Sequence, residues 1–226
     1  MQKYMIALQP FLIQGLRNFQ AYQVCMVAVG TVGDISRNIE AQIQPFCDEI
    51  MNALIESLKD STIHRSVKPP VISCFGDIAM AIGPAYQPYL QFSMMLLMQA
   101  SSTRAPEDDE DLIEYFNLLR ESILEAYVGI VQGLRDGNLL NQFMQYVPSV
   151  LQFLEDLAND PNRDDFVLNK AIGLVGDLAQ ALGPQIRDQI NKQFVAKLIS
   201  DGMASGDPSM AEMSAWASQV VAQACQ

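Results

Sequence analysis

The chain has 226 residues, half of them apolar, which excludes a disordered polypeptide and allows one large domain or a short repeat array with a sizeable core. It carries 14 basic and 26 acidic side chains, for a net charge of −12. Such a balance repels nucleic acid and anionic lipid and favours a basic partner. Six of the acids cluster within 107–114. No apolar run reaches the roughly 18 residues that would cross a membrane, and Met1-Gln-Lys-Tyr does not open a signal peptide. Cys25, Cys47, Cys74 and Cys225 form no Cys-x-x-Cys pair and lie in apolar helical contexts, which suits a reducing compartment and neither a metal nor a redox site. No cofactor is expected.

In chain order, apolar residues begin almost at once: Tyr4, Met5, Ile6, Leu8, Phe11, Leu12 and Ile13 surround a first helix instead of lining one stripe. The end of a solenoid carries a polar cap. This one therefore reads as a cut through a longer array, with Tyr4, Leu8 and Leu12 on an uncovered face. Next comes Ala28-Val-Gly-Thr-Val-Gly-Asp34-Ile, and Ile72-Ser-Cys-Phe-Gly-Asp77-Ile resembles it 43 residues later. A long helix follows, in which Leu112, Phe116, Leu119, Ile123, Ala126 and Ile130 recur at steps of 4 and 3, one stripe of a helix. Its segment Ser122-Ile-Leu-Glu-Ala-Tyr-Val-Gly129-Ile is a copy of the motif that has lost its aspartate. Ala171-Ile-Gly-Leu-Val-Gly-Asp177-Leu is a further copy, 100 residues after Asp77. Further apolar helical stretches (46–58, 86–98, 147–157 and 186–199) alternate with these. Two helices end alike, at Ala81-Ile-Gly83-Pro84 and Ala181-Leu-Gly183-Pro184, where glycine takes a left-handed conformation and proline cannot continue the helix.

No segment shows the two-residue alternation of a strand. Paired helices at a period of about 40–47 residues indicate HEAT or armadillo repeats. The predicted fold is all-α, a HEAT-repeat superhelical solenoid of about five antiparallel helix pairs. The hairpins fall at roughly 1–38, 39–84, 85–136, 137–183 and 184–226 of a single array.

The motifs of enzymes are missing: no phosphate loop, no Gly-x-Gly-x-x-Gly, no His-Glu-x-x-His and no Gly-x-Ser-x-Gly. The one histidine, His64, reads as a solvated residue at a helix start. Asp160, Asn162 and Asp164 imitate the first ligands of a calcium loop, but Asp165 stands where glycine is required and Ala171 where glutamate is, so the segment reads as an inter-helix turn. The chain is expected to bind and not to catalyse.

Binding features are more informative. Asp111, Glu114, Glu121 and Glu125 share the face opposite the core stripe of their helix. In a HEAT array the second helix of each pair lines the concave surface, so these acids point into the groove or form an ordinary solvated face. Asp34, Asp77 and Asp177 sit on helix flanks, where they bond neighbouring repeats or line the groove. Gly33, Gly76 and Gly176 precede them and would allow close approach of a ligand helix or strand. Trp216, the only tryptophan, lies at the edge of a stripe formed by Met213, Ala217 and Val220. It either packs on the preceding repeat or offers its ring to a cation, with Glu212 nearby to hold the charge.

Several runs closely resemble the importin-beta family, the karyopherin-beta nuclear import receptors. They are His64-Arg-Ser-Val-Lys-Pro with Phe75-Gly-Asp-Ile-Ala, Pro45-Phe-Cys-Asp-Glu, Tyr22-Gln-Val-Cys with Val29-Gly-Thr-Val-Gly-Asp, and Glu121-Ser-Ile-Leu-Glu-Ala-Tyr-Val-Gly-Ile-Val-Gln-Gly133. The resemblance covers nearly the whole chain and is weakest in 137–166 and 184–210. It implies the C-terminal HEAT repeats of a transport receptor found in the cytoplasm, the nucleus and at the nuclear pore and envelope. By that resemblance the groove binds the basic helix of the adaptor importin-alpha through Glu114, Glu121, Glu125 and Trp216; Asp177 and Glu212 join them as candidate contacts from their own positions, a helix flank and the turn beside Trp216. It also implies phenylalanine-glycine nucleoporins bound between first helices, and Ran-GTP bound mainly by repeats outside this chain. The rival is a rigid HEAT scaffold joining folded proteins through its inter-helix turns.

Overall fold

A computed structural model of the chain describes residues 2–103, 109–135 and 139–226; Glu107 and Asp108 of the acidic run lie outside the described residues. Among those residues the regular structure is helical: α1 (Gln2–Leu16), α2 (Tyr22–Ile39), α3 (Cys47–Lys59), α4 (Lys68–Ile82), α5 (Gln87–Ser101), α6 (Glu110–Arg135), α7 (Leu140–Phe143), α8 (Val147–Asn159), α9 (Asp165–Leu182), α10 (Arg187–Ile190), α11 (Gln193–Ala204) and α12 (Pro208–Ala224). The long helices form five antiparallel pairs, α1/α2, α3/α4, α5/α6, α8/α9 and α11/α12. The first member of each pair is its A helix and the second its B helix. One continuous apolar core runs through all five pairs. Burial pushes the thiols of Cys25, Cys47 and Cys74 up, that of Cys47 to about 12, so they pack as apolar side chains.

The two layers are unequal. Each B helix packs along the next, in the order α2, α4, α6, α9, α12, whereas successive A helices meet over short stretches. Closer spacing on one side curves the array with the B layer inside. Glycine sets the tightest step. A β-carbon on Gly129 of α6 would come within 2.6 Å of the Gly76 backbone on α4, and one on Gly133 would run into the Ala79 carbonyl. Gly33 faces the Asp77 carboxylate, Gly76 the backbone of Ala126, and Gly176 the six-membered ring of Trp216. These glycines therefore admit the neighbouring repeat, not a ligand, because the B layer closes over the face that sequence left open.

Each of α2, α4 and α9 ends in the same turn. Gly83 and Gly183 have φ of +53° and +52°, with ψ of −126° and −135°. This is not the expected left-handed helical geometry but a region open in practice to glycine alone. A 3-10 turn then buries Tyr86 or Ile186. Glu40 occupies the equivalent place after α2, with φ 49° and ψ −134°, ahead of the buried Ile43. A residue with a β-carbon there stores about 1–3 kcal/mol of strain. The Glu40 side chain is exposed, so Glu40→Gly should raise stability by about 1 kcal/mol after glycine's extra unfolded-state entropy is counted. A thermal melt should shift up by roughly 2–4 °C; a lower midpoint would refute the strain.

On α1, Tyr4 and Leu8 are exposed as expected, and so are Ile6 and Phe11, but Leu12 is buried. It falls on the stripe of Met5 and Leu16, which packs on the core.

Candidate binding surface

The inner surface is built from one outward line of residues on each B helix. On α4 the line is Pro70, Ser73, Asp77 and Met80; on α6 it is Glu114, Leu118, Glu121, Glu125 and Gln132; on α9 it is Phe166, Lys170 and Asp177. Glu212 and Trp216 stand one turn apart on α12. Glu114 and Glu212 are exposed, while Glu121, Glu125, Asp177 and Trp216 are half-buried. Apolar groups share the surface: Met80, Leu118 and Phe166 are all exposed, Phe166 by 70%.

Glu121 and Glu125 come together where α4, α6 and α9 meet. The Ser73 hydroxyl donates to Glu125 Oε2 at 2.8 Å, and Lys170 Nζ lies 2.9 Å from Glu125 Oε1. Burial, then the carboxylates of Asp164 and Glu125, hold the Glu121 carboxyl above its usual range, with Lys170 only partly opposing them. Asp177 is likewise raised by burial; Gln132 Nε2 donates to its two oxygens at 3.3 and 3.4 Å, and Arg135 opposes the shift from further off. A carboxyl with a raised folded-state pKa subtracts stability at neutral pH, and the loss is recovered as pH falls through that pKa. A cation brought to the same oxygens relieves it without protonation. The arrangement is therefore poised to accept positive charge.

Two of the recurring aspartates, Asp77 and Asp177, bond between repeats, while Asp34 pairs within α2. Arg37 on α2 donates to Asp77 Oδ2 at 2.5 Å and to Asp34 Oδ1 at 2.7 Å, and Asp177 receives Gln132 from α6. Lys170 and Arg37, which already neutralise part of this acidic surface, were not singled out from sequence. Their signal is spacing: Arg37–Asp77 and Glu125–Lys170 are 40 and 45 residues apart, one repeat. Trp216 seats its six-membered ring on Gly176 of α9, so it belongs to the α9–α12 joint, and the residue as a whole is half-buried. His64 caps the helical turn before α4, Nδ1 accepting from the Ser66 amide at 3.3 Å, and stacks on Tyr22 with ring centroids 4.1 Å apart. The 160–164 turn is internally satisfied: Asp160 accepts from the Asn162 amide and pairs with Arg120, and Asp164 caps α9 through the Val167 amide.

A two-layer helical solenoid curved around an acidic inner face defines a helical-repeat protein. The chain belongs to the importin subunit beta-1-like family: the family model described as "Importin subunit beta-1-like, TPR repeats" matches residues 1–203. Importin subunit beta-1 of Arabidopsis thaliana is 40% identical over 225 residues, covering 98% of this chain and 26% of that protein. The counterpart from Schizosaccharomyces pombe is 40% identical over 221 residues, 96% of this chain and 26% of that protein. The chain thus spans about a quarter of the length of the curated relatives it matches. A crystal structure of importin beta in an ammonium sulfate condition superposes with a TM-score of 0.94 at 33% identity, covering 99% of this chain and 26% of that one. Kap95 in a complex with Nup1 superposes with a TM-score of 0.88 at 30% identity, over 98% of this chain and 26% of that one. Kap95p bound to RanGDP gives 0.89 at 30% identity with the same coverage.

Proposed function

We propose that this chain is the part of a nuclear import receptor that grips the basic helix of the adaptor importin-alpha on its inner surface. The observation that carries the reading is the Glu121–Glu125 pair on α6. Its carboxylates face the groove, and burial, then the neighbouring carboxylates of Asp164 and Glu125, hold Glu121 above its ordinary pKa. A basic amphipathic helix would set its cations against Glu114, Glu121, Glu125, Asp177 and Glu212. Its apolar side chains would meet Leu118 and Phe166, and an arginine or lysine stem the half-buried Trp216. Binding, not catalysis, is the role this surface serves. The receptor would work in cytoplasm, nucleus and nuclear pore.

Nucleoporins with phenylalanine-glycine repeats would contact the outer layer instead. There α5 carries no charged side chain and exposes Phe92 and Met95, and a relative of similar fold is known in complex with Nup1. Ran would engage the full-length receptor, as the Kap95p–RanGDP relative suggests.

Titration of the chain with an importin-alpha-type basic peptide across a salt series tests the reading. Steep loss of affinity with salt is expected, and absence of peptide binding would favour the scaffold alternative. Trp216→Ala should weaken binding by at least about 1 kcal/mol, roughly fivefold, while stability falls modestly. A stability loss of roughly 3–5 kcal/mol with binding per folded molecule unchanged would make Trp216 purely a packing residue.

A further inference from the structure

Three of the four steps between repeats are tied by an arginine that reaches the next A helix. Arg17 donates to both carboxylate oxygens of Glu56 on α3, at 2.8 and 3.1 Å. Arg120 on α6 pairs with Asp160 at the end of α8. Arg163, which also donates to the Leu157 and Ala158 carbonyls, pairs with Asp201 on α11. These partners lie 39, 40 and 38 residues apart, one repeat each.

The step from the second pair to the third breaks the series. Its arginine is present, Arg65 in the turn before α4, but the facing helix α5 (QPYLQFSMMLLMQAS) has no acid to receive it. Arg65 instead lies over the Tyr115 ring, 5.3 Å from its centroid. Lys68, three residues on, has no carboxylate partner among the described residues. At this place a cavity of about 360 Å³ opens between the repeats, rimmed by Arg65 and Lys68 and walled by Leu58, Ile72, Leu96 and Phe116. That volume is at the lower end of the range for ligand sites, about 300–1,000 Å³.

Two cations with no carboxylate partner among the described residues, around an apolar hole, are conspicuous in a chain of net charge −12. The neighbouring steps each place a carboxylate where this one has none among the described residues. We propose that this edge of the solenoid binds an acidic peptide segment of a partner protein. A carboxylate of the segment meets Arg65 and Lys68, taking the part that Glu56, Asp160 and Asp201 play at the other steps, and an adjacent apolar side chain fills the cavity. The site has the opposite charge preference to the inner surface, so the two select different ligands.

The probe is a fluorescein-labelled Glu-Glu-Phe-Glu-Glu peptide, followed by anisotropy against the 226-residue chain at low salt up to millimolar concentration. Saturable binding that weakens with salt is expected. Arg65→Glu with Lys68→Glu should reduce affinity at least tenfold. So should replacing the peptide's glutamates with glutamine, or its phenylalanine with alanine. Arg65→Gln with Lys68→Gln, checked by thermal melt, carries the test if charge reversal impairs folding, and should reduce affinity about fivefold. The proposal is overturned if the wild-type chain shows no saturable binding, if both cation variants bind as it does, or if the alanine peptide binds as tightly as the phenylalanine one.

Discussion

Reversing Glu121 and Glu125 together (Glu121→Lys, Glu125→Lys) should weaken capture of a basic amphipathic helix by roughly 30- to 100-fold at low salt. Each reversal turns an attraction of about 0.5 kcal/mol, usual for a solvent-exposed pair, into a repulsion of similar size, so the two together remove about 2 kcal/mol, and the half-buried setting adds to it. The fold should survive. Neither residue lies on the core stripe, and Glu121 is already crowded by Asp164 and Glu125. The new lysine at 125 would face Lys170, a surface repulsion of at most about 1 kcal/mol. The mirror variant sharpens the test. Lys170 is the chain's own cation on Glu125; Lys170→Gln frees that carboxylate and should tighten the same peptide a few-fold. Both effects should shrink as salt rises. Unchanged affinity of the double variant at low salt would remove this surface as the adaptor site.

Gly129→Val should cost about 3 kcal/mol or more and lower the melting midpoint by roughly 6–12 °C. The β-carbon would land 2.6 Å from Gly76 Cα, and backbone on backbone cannot yield as a long side chain can. Gly30 is the control, since nothing lies within 4 Å of a β-carbon there. Gly30→Ala, in a helix interior, should leave stability unchanged or raise it by about 0.5–1 kcal/mol. Equal melting points for the two variants would show that α4 and α6 can move apart at little cost.

The helix pairs were legible in the sequence because the Gly-Asp motif returns on α2, α4 and α9 and the core stripe of α6 is unbroken. A helical wheel also took Glu121 and Glu125 off the core. It could not see that α9 comes alongside and lends Lys170, because a wheel describes one helix and the partner lies a full repeat away. The glycines were misread for the same reason: Gly76 looks vacant until α6 is laid on it. Leu12 was misjudged because apolar residues surround α1, so composition could not separate its buried stripe from its exposed face. Glu40 went unnoticed since only alignment of its turn with those of Gly83 and Gly183 exposes it. Opposite charges one period apart, such as Arg17 and Glu56 or Arg163 and Asp201, are the pattern from which these links could have been found.

Where the backbones of α4 and α6 touch, no layer of side chains is left to shear, so these two helices turn as one body. The other joints are of a different kind. Arg37 spans α2 to α4, Glu125 and Asp177 span α6 to α9 through Lys170 and Gln132, and the Trp216 ring lies flush on Gly176 between α9 and α12. Side-chain links of this sort can lengthen, rotate or slide. The array is a torsion spring with one locked coil. A ligand winding along the inside can change its pitch only on either side of that coil, and the elastic energy of wrapping accumulates at those joints.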